Sequence, residues 1–167
     1  MQDQVEFFAP SEAKDHRLLR LYRYWLEKSG ARAFPQRADL DPVDFKYILG
    51  YVTMVDIIEP EDGSGPRRYY FRLDGSHLAA LSGIDYTRRY LDELPWPDYR
   101  DFIAWTYERV LQNQSPLGYR RRGNIDDHLF DEETIILPLG VGGDRIGKLM
   151  VAVIPGDLRP GEHAIVL

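Results

Sequence analysis

An α+β fold built on a mostly antiparallel sheet is predicted by three observations. Strand-like segments are grouped at both ends of the chain, at 51–58 and 67–74 and then three after residue 116, with helical segments between them. The last two, EETIILPLG and RIGKLMVAVIP, are joined by the glycine-rich VGGD and read as a hairpin. The regular strand-helix alternation of a doubly wound sheet is missing.

The 167 residues fit a single domain. A chain of this length buries roughly 70% of its unfolded surface and needs no covalent staple. It contains no cysteine, which excludes a disulfide framework, a thiolate zinc site and a cysteine nucleophile. No apolar run reaches membrane-spanning length, and the acidic start MQDQVEFFAPSEAKDH has no signal-peptide core. The expected location is therefore cytoplasmic, with no membrane partner. A formal charge of −6 argues against nucleic acid as a partner, since phosphate-backbone binding needs excess lysine and arginine.

Taken in order, residues 1–14 have few periodic apolar positions and are expected to form a flexible arm. DHRLLRLYRYWLEKS, 15–29, places Leu18, Leu19, Tyr22, Trp25 and Leu26 on one helical stripe, with Gly30 at the stop. This helix packs on the domain or on a second copy of itself, and Leu18, Tyr22, Trp25 and Leu26 are the candidate dimer or partner contacts. Asp39 or Asp41 caps a short helix that has Pro42 in its first turn. YVTMVDII, 51–58, is rich in β-branched residues and reads as a buried strand. PEDGSGP is a turn, and RRYYFRLD the next strand, with Tyr69, Phe71 and Leu73 on one face.

Gly75 ends that strand. HLAALSG is a short helix that Ser76 caps and Gly83 stops. DYTRRYLDELP is a further short helical turn. DYRDFIAWTYERVLQ, 98–112, is the longest internal helix, with Phe102, Ile103, Trp105, Val110 and Leu111 in a broad stripe. PLGYRRRG opens the closing group of strands. The expected sheet thus has five strands, with short helices and one longer helix on one face, plus the amino-terminal amphipathic helix. The domain is expected to run from 15 to 155, followed by a tail over 156–167.

Chemistry-bearing motifs are sparse. The phosphate-loop and nucleophile-elbow patterns are absent, and none of His16, His77, His128 and His163 has the i, i+4 partner of a helical zinc site. No catalytic residue and no metal ligand is assigned, and the chain is not read as an enzyme. The one candidate cluster for a small enzyme is Asp126-Asp127-His128, which a solvated turn explains as well. Arg120-Arg121-Arg122 is read as a solvated sheet face paired with a neighbouring acidic strand, Arg121 sharing its side with Tyr119. The aromatic residues on the proposed sheet and its covering helices are suited either to lining a pocket or to filling a core. The candidate pocket consists of Tyr69, Phe71, His77, Tyr86, Tyr90, Trp105 and Tyr119, with Arg72 and Arg88 at its rim. The sequence indicates no cofactor, and haem or flavin has no specific support beyond His77.

Two strands, a set of short helices, one longer helix and three strands is also the PAS-domain order. The chain resembles a PAS-like family of alphaproteobacteria long known as a domain of unknown function. The residues that carry the resemblance are Leu21 to Trp25 in the first helix, Arg72, Leu73 and Gly75 at the corner, and Gly83, Asp85, Thr87 and Leu91 to Leu94 beyond it. ILPLGVGGDRIGKLMVAVIP, 136–155, is similar to the family's closing strands. The family usually has glycine after the threonine, where this chain has Arg88. The resemblance implies a sensory or protein-interaction module that binds a small molecule between sheet and helices, or pairs with a regulatory protein or a second copy. It leaves no length for an attached output domain, so a stand-alone homodimeric module is expected. The alternative is a ligand-free interaction domain that dimerises through the apolar helix stripe and an exposed sheet face. The resemblance supplies no catalytic residues.

Overall fold

A computed structural model describes residues 4–125, 128–142 and 144–156. The elements run β1 Gln4–Phe8, α1 His16–Ser29, β2 Val52–Ile58, β3 Arg68–Leu73, α2 Ser76–Ser82, α3 Pro97–Asn113, β4 Leu117–Ile125, β5 His128–Gly140 and β6 Ile146–Pro155, with 3₁₀ turns between them. The six strands form one sheet in the order β1-β4-β5-β6-β2-β3, and every ladder is antiparallel. The expected hairpin is β5 and β6, with Ile135 opposite Ala152 and Leu137 opposite Met150.

Both faces of this sheet are covered, and the period of two decides which residue goes where. Leu149, Val151 and Val153 of β6 turn to an inner layer closed by α2, α3 and the 84–96 segment. Met150, Ala152 and Ile154 turn to an outer layer closed by α1 and residues 34–51. Each fully buried Val, Leu or Ile on these faces contributes about 1.5–3 kcal/mol. No described helix is long and apolar enough to cross a membrane.

Helix α1 begins where the Asp15 carboxylate accepts the Arg17 amide at 2.8 Å, and ends at Gly30 with φ 58°. Its stripe lies on the chain's own sheet. Leu18, Leu21 and Trp25 are buried there, and the Trp25 indole donates to the Pro138 carbonyl at 2.9 Å. This corrects the expectation for Leu18 and Trp25, since neither is free to make a dimer contact. Of the four named there, Leu26 is exposed, and Tyr22 is half-buried and stacked on Trp25. Neither face of the sheet is left open for dimerisation, since helices and turns cover both.

The strand count is also corrected, from five to six. Part of the segment expected to be a flexible arm is β1, paired with β4 from Gln4–Arg122 to Phe8–Gly118. Five residues are too few to show a period, and the pairing partner lies more than a hundred residues away. Gly118 makes room for the Phe8 ring, since a Cβ there would lie 2.3 Å from it.

Asp41 caps the 3₁₀ turn Pro42–Phe45 by accepting the Val43 amide. Ser76 does not cap α2. Gly75 is the cap residue, and Ser76 is the first helical residue. Gly75 sits there because the Gly50 carbonyl approaches so closely that a Cβ would be 2.3 Å from its oxygen. Asp126, Asp127 and His163 lie outside the described residues, as does the tail from 157 onward. The side chain of His128 lies outside them too.

Candidate functional site

The inner face of the sheet is mostly apolar, but Thr53 donates to the buried Asp74 at 3.1 Å, and a larger polar cluster lies on β4 and β5. There the cross-strand pairs Tyr119–Thr134 and Arg121–Glu132 of β4 and β5 lie side by side. All four side chains are buried, Glu132 to 2% exposure. Tyr99 and Phe102, one helical turn apart on α3, cover them. The Tyr99 hydroxyl donates to Glu132 Oε2 at 3.3 Å. The Arg121 guanidinium lies 3.7 Å from the Phe102 ring centre, and Phe102 meets Tyr119 edge-on at 5.3 Å. Glu132 Oε1 and Thr134 Oγ1 have no hydrogen-bond partner among the described residues.

Burial dominates the electrostatics. It pushes the Glu132 carboxyl from its ordinary 4.5 up to about 7, against the pull of Arg121 and the hydroxyls of Tyr119 and Tyr99. Burial also holds the Tyr99 and Tyr119 phenols well above their usual range, with the Glu132 charge adding to it. The result is a carboxyl group that titrates near neutrality inside an aromatic enclosure. One of its oxygens is open to a proton or to a hydrogen-bond donor.

A second polar feature closes the same layer at the start of β3. The Tyr69 hydroxyl donates to Glu108 of α3, and Arg67 bridges Glu108 and Glu59 at 2.7 Å each. Two clefts of about 540 and 400 Å³ open on either side of Pro66, Arg67, Tyr69 and Ala104. Glu108 therefore ties α3 to the edge of the sheet at the mouth of the inner layer.

The residues expected to form one pocket divide into two groups. Tyr69, Phe71, Tyr86 and Tyr119 are buried in the inner layer. Tyr69 packs on Tyr107 at 5.1 Å, and Phe71 on Tyr86 at 6.3 Å. His77 is exposed and stacks on Tyr51 at 4.7 Å. Tyr90 packs against Tyr70 at the β3 edge, and Trp105 is half-exposed at the β1 side of α3, against Phe7. His77 and Tyr90 are corrections, since neither faces the inner layer, and Trp105 meets that layer only at its rim, through Phe7 and Phe102.

The two rim arginines do not share a rim. Arg72 lies on the outer face, where it and Lys148 bind Asp56. Burial raises the Asp56 pKa, but these two cations outweigh it and lower it overall. Arg88 is exposed, with φ 68°.

The alignment of Arg120-Arg121-Arg122 with Glu133, Glu132 and Asp131 follows the expected pairing with an acidic strand. Arg121, however, is buried rather than solvated. Glu132, Thr134, Tyr99 and Glu108 escaped the sequence reading. The one available signal was alternation, which puts Arg121 beside Tyr119 and therefore opposite Glu132.

This sheet, flanked by short helices and one longer helix, agrees with what the chain's sequence matches. Residues 13–146 match the PAS domain family, and the chain belongs to that family. No curated protein and no solved structure gives a significant match to the chain.

Proposed function

We propose that the chain is a sensory or regulatory module whose responsive group is Glu132. A proton, or a hydrogen-bond donor on a small molecule or partner, engages the open Oε1. This shifts the balance between a neutral and a charged carboxyl beneath α3. The observation that carries this reading is the buried Oε1 with no partner. A route outward is built into the strand. Glu133, the next residue, faces the outer layer and accepts the amides of Lys14 and Asp15 at 2.9 and 2.8 Å. A change in β5 at Glu132 therefore acts directly on the start of α1, the element that a partner or a second copy would meet.

Hydrogen exchange of residues 14–29, corrected for intrinsic rates, tests it. The expected result is a difference in protection between pH 5.5 and pH 8.5 that disappears in Glu132→Gln. Protection that is flat with pH in the unmodified protein, or that changes equally in both, would count against it.

A further inference from the structure

The two edges of the sheet are treated differently. The β3 edge is closed by the chain itself. The Phe71 amide donates to the Arg89 carbonyl at 2.9 Å, the Arg88 amide donates to the Phe71 carbonyl at 2.8 Å, and Tyr70 bridges Tyr90. Among the described residues the β1 edge has no such cover. Among the described residues β1 pairs with β4 alone, without a register shift. Its sequence QVEFF contains no proline, glycine or lysine to blunt it.

The side chains beside this open edge form a receiving surface. Val5 and Phe7 face the α3 side, where Trp105 is 46% exposed and meets Phe7 edge-on at 5.5 Å. The Arg109 guanidinium lies 4.8 Å from Phe7 and 4.9 Å from Trp105, and no described carboxylate pairs with it. At the start of β1 a cleft of about 410 Å³ is lined by Gln4, Glu6, Arg120 and Arg122 among others. Arg122 is largely exposed, with Asp131 only at 4.0 Å.

We infer that the β1 edge is a docking site for an extended, acidic peptide segment of a partner protein, added as a seventh strand. The backbone of β1 supplies the hydrogen bonds. Trp105 and Val5 take an apolar side chain. Arg109 on one face and Arg122 on the other take carboxylates. Charge decides the occupant. The chain as a whole carries −6, yet this edge is flanked by arginines. A second copy fits poorly, because Glu6, the acidic residue of β1, already engages Arg120 at 3.3 Å and two chains of the same charge repel.

The probe is an acetylated and amidated hexapeptide alternating glutamate and valine, titrated into the full chain and followed by amide chemical shifts and tryptophan fluorescence. The expected result is a saturable shift confined to residues 4–8, to β4 around Arg122 and to α3 around Trp105 and Arg109. Alternate backbone N-methylation on the binding edge of the peptide abolishes the shift. Arg109→Glu weakens binding at least about tenfold, equivalent to about 1.4 kcal/mol, and improves binding of the lysine-valine counterpart. The inference is overturned if no shift reaches β1, if the N-methylated peptide binds equally well, or if Arg109→Glu leaves the charge preference unchanged. Sedimentation showing that the chain pairs with itself through β1, with the peptide unable to compete, overturns it in favour of a second copy.

Discussion

Glu132 and Glu133 are adjacent in β5 and serve opposite layers. Glu132 lies under Tyr99 of α3 on the inner face, while Glu133 holds the amides of Lys14 and Asp15 at the start of α1 on the outer face. In an extended strand successive side chains point to opposite sides, so two identical residues acquire opposite environments. One carboxyl is buried with an oxygen left over. The other is an acceptor for two main-chain donors, and it also binds Arg120 at 2.6 Å.

The first consequence is a pH dependence with a definite sign. The folded-state pKa of Glu132 is raised, to about 7 from 4.5, so the folded state resists its ionisation. Its cost is absent below pH 4.5, grows as pH rises between the two values, and is complete above 7. In full it amounts to about 3 kcal/mol. Glu132→Gln removes the charge, so it is expected to be more stable than the unmodified protein by about 2–3 kcal/mol at pH 8.5 and nearly equal to it at pH 5. Urea denaturation at the two pH values measures this. Comparing the two proteins cancels the opposite contributions of Asp15 and Asp92, whose pKa values are lowered mainly by Arg17 and Arg68. Parallel stability curves would contradict the assignment.

The outer carboxylate gives a prediction about one helix end. Glu133→Ala leaves the Lys14 and Asp15 amides without their acceptor and is expected to cost about 1–3 kcal/mol. The loss should be seen as faster hydrogen exchange at residues 14–18, with α3 unaffected. Glu133→Gln keeps an acceptor oxygen and should recover a large part of the loss. Equal damage from both variants would mean that the charge toward Arg120, rather than the two amides, carries the effect.

The parts of the fold legible in the sequence are those held by local period. The β5–β6 hairpin, α1 and α3 repeat their apolar residues often enough within their own length to declare their type. β1 does not, because its identity as a strand depends on Arg122, Arg121 and Arg120 across the ladder. Glu132 was hidden for a related reason. It stands in the acidic run Asp131-Glu132-Glu133, where solvation is the default reading, and only the packing of α3 over β5, through Tyr99 and Phe102, removes water from it. That His77 and Tyr90 lie away from the inner layer was not legible, because aromatic character does not report which side of a helix or loop is covered. His77 in particular is drawn away to Tyr51 by stacking.

Arg88 offers a stability gain without a change in contacts. Its φ of 68° is in the left-handed region, which costs a residue with a Cβ about 1 kcal/mol or more relative to glycine. Its amide donates to the Phe71 carbonyl at 2.8 Å, and that bond needs no side chain. Arg88→Gly is expected to gain up to about 1 kcal/mol after the extra freedom of the unfolded glycine is deducted. Arg88→Val should lose at least as much. Urea midpoints at unchanged m-value decide the matter, and a loss on Arg88→Gly would show that the arginine side chain makes a compensating interaction.

Gly50 and Gly75 face each other at the β3–α2 corner, and substituting them should have unequal effects. A Cβ on Gly75 meets the Gly50 carbonyl oxygen at 2.3 Å and the Val52 amide nitrogen at 3.0 Å. Both are backbone atoms fixed by the entry into β2, so relief requires moving a strand, and Gly75→Ala is expected to cost at least about 2 kcal/mol. A Cβ on Gly50 meets the His77 ring, at 1.9 Å from Nδ1. That ring is exposed and held by stacking on Tyr51, so it can rotate away at the cost of the stack. Gly50→Ala should therefore lose about 1 kcal/mol or less, of the order of a single aromatic contact. In the double variant Gly50→Ala with His77→Ala most of that loss should vanish, whereas His77→Ala should do nothing to rescue Gly75→Ala. Thermal denaturation of the four proteins tests the pair. A rescue of Gly75→Ala by His77→Ala would mean that the ring, and not the main chain of Gly50, is what confines the corner.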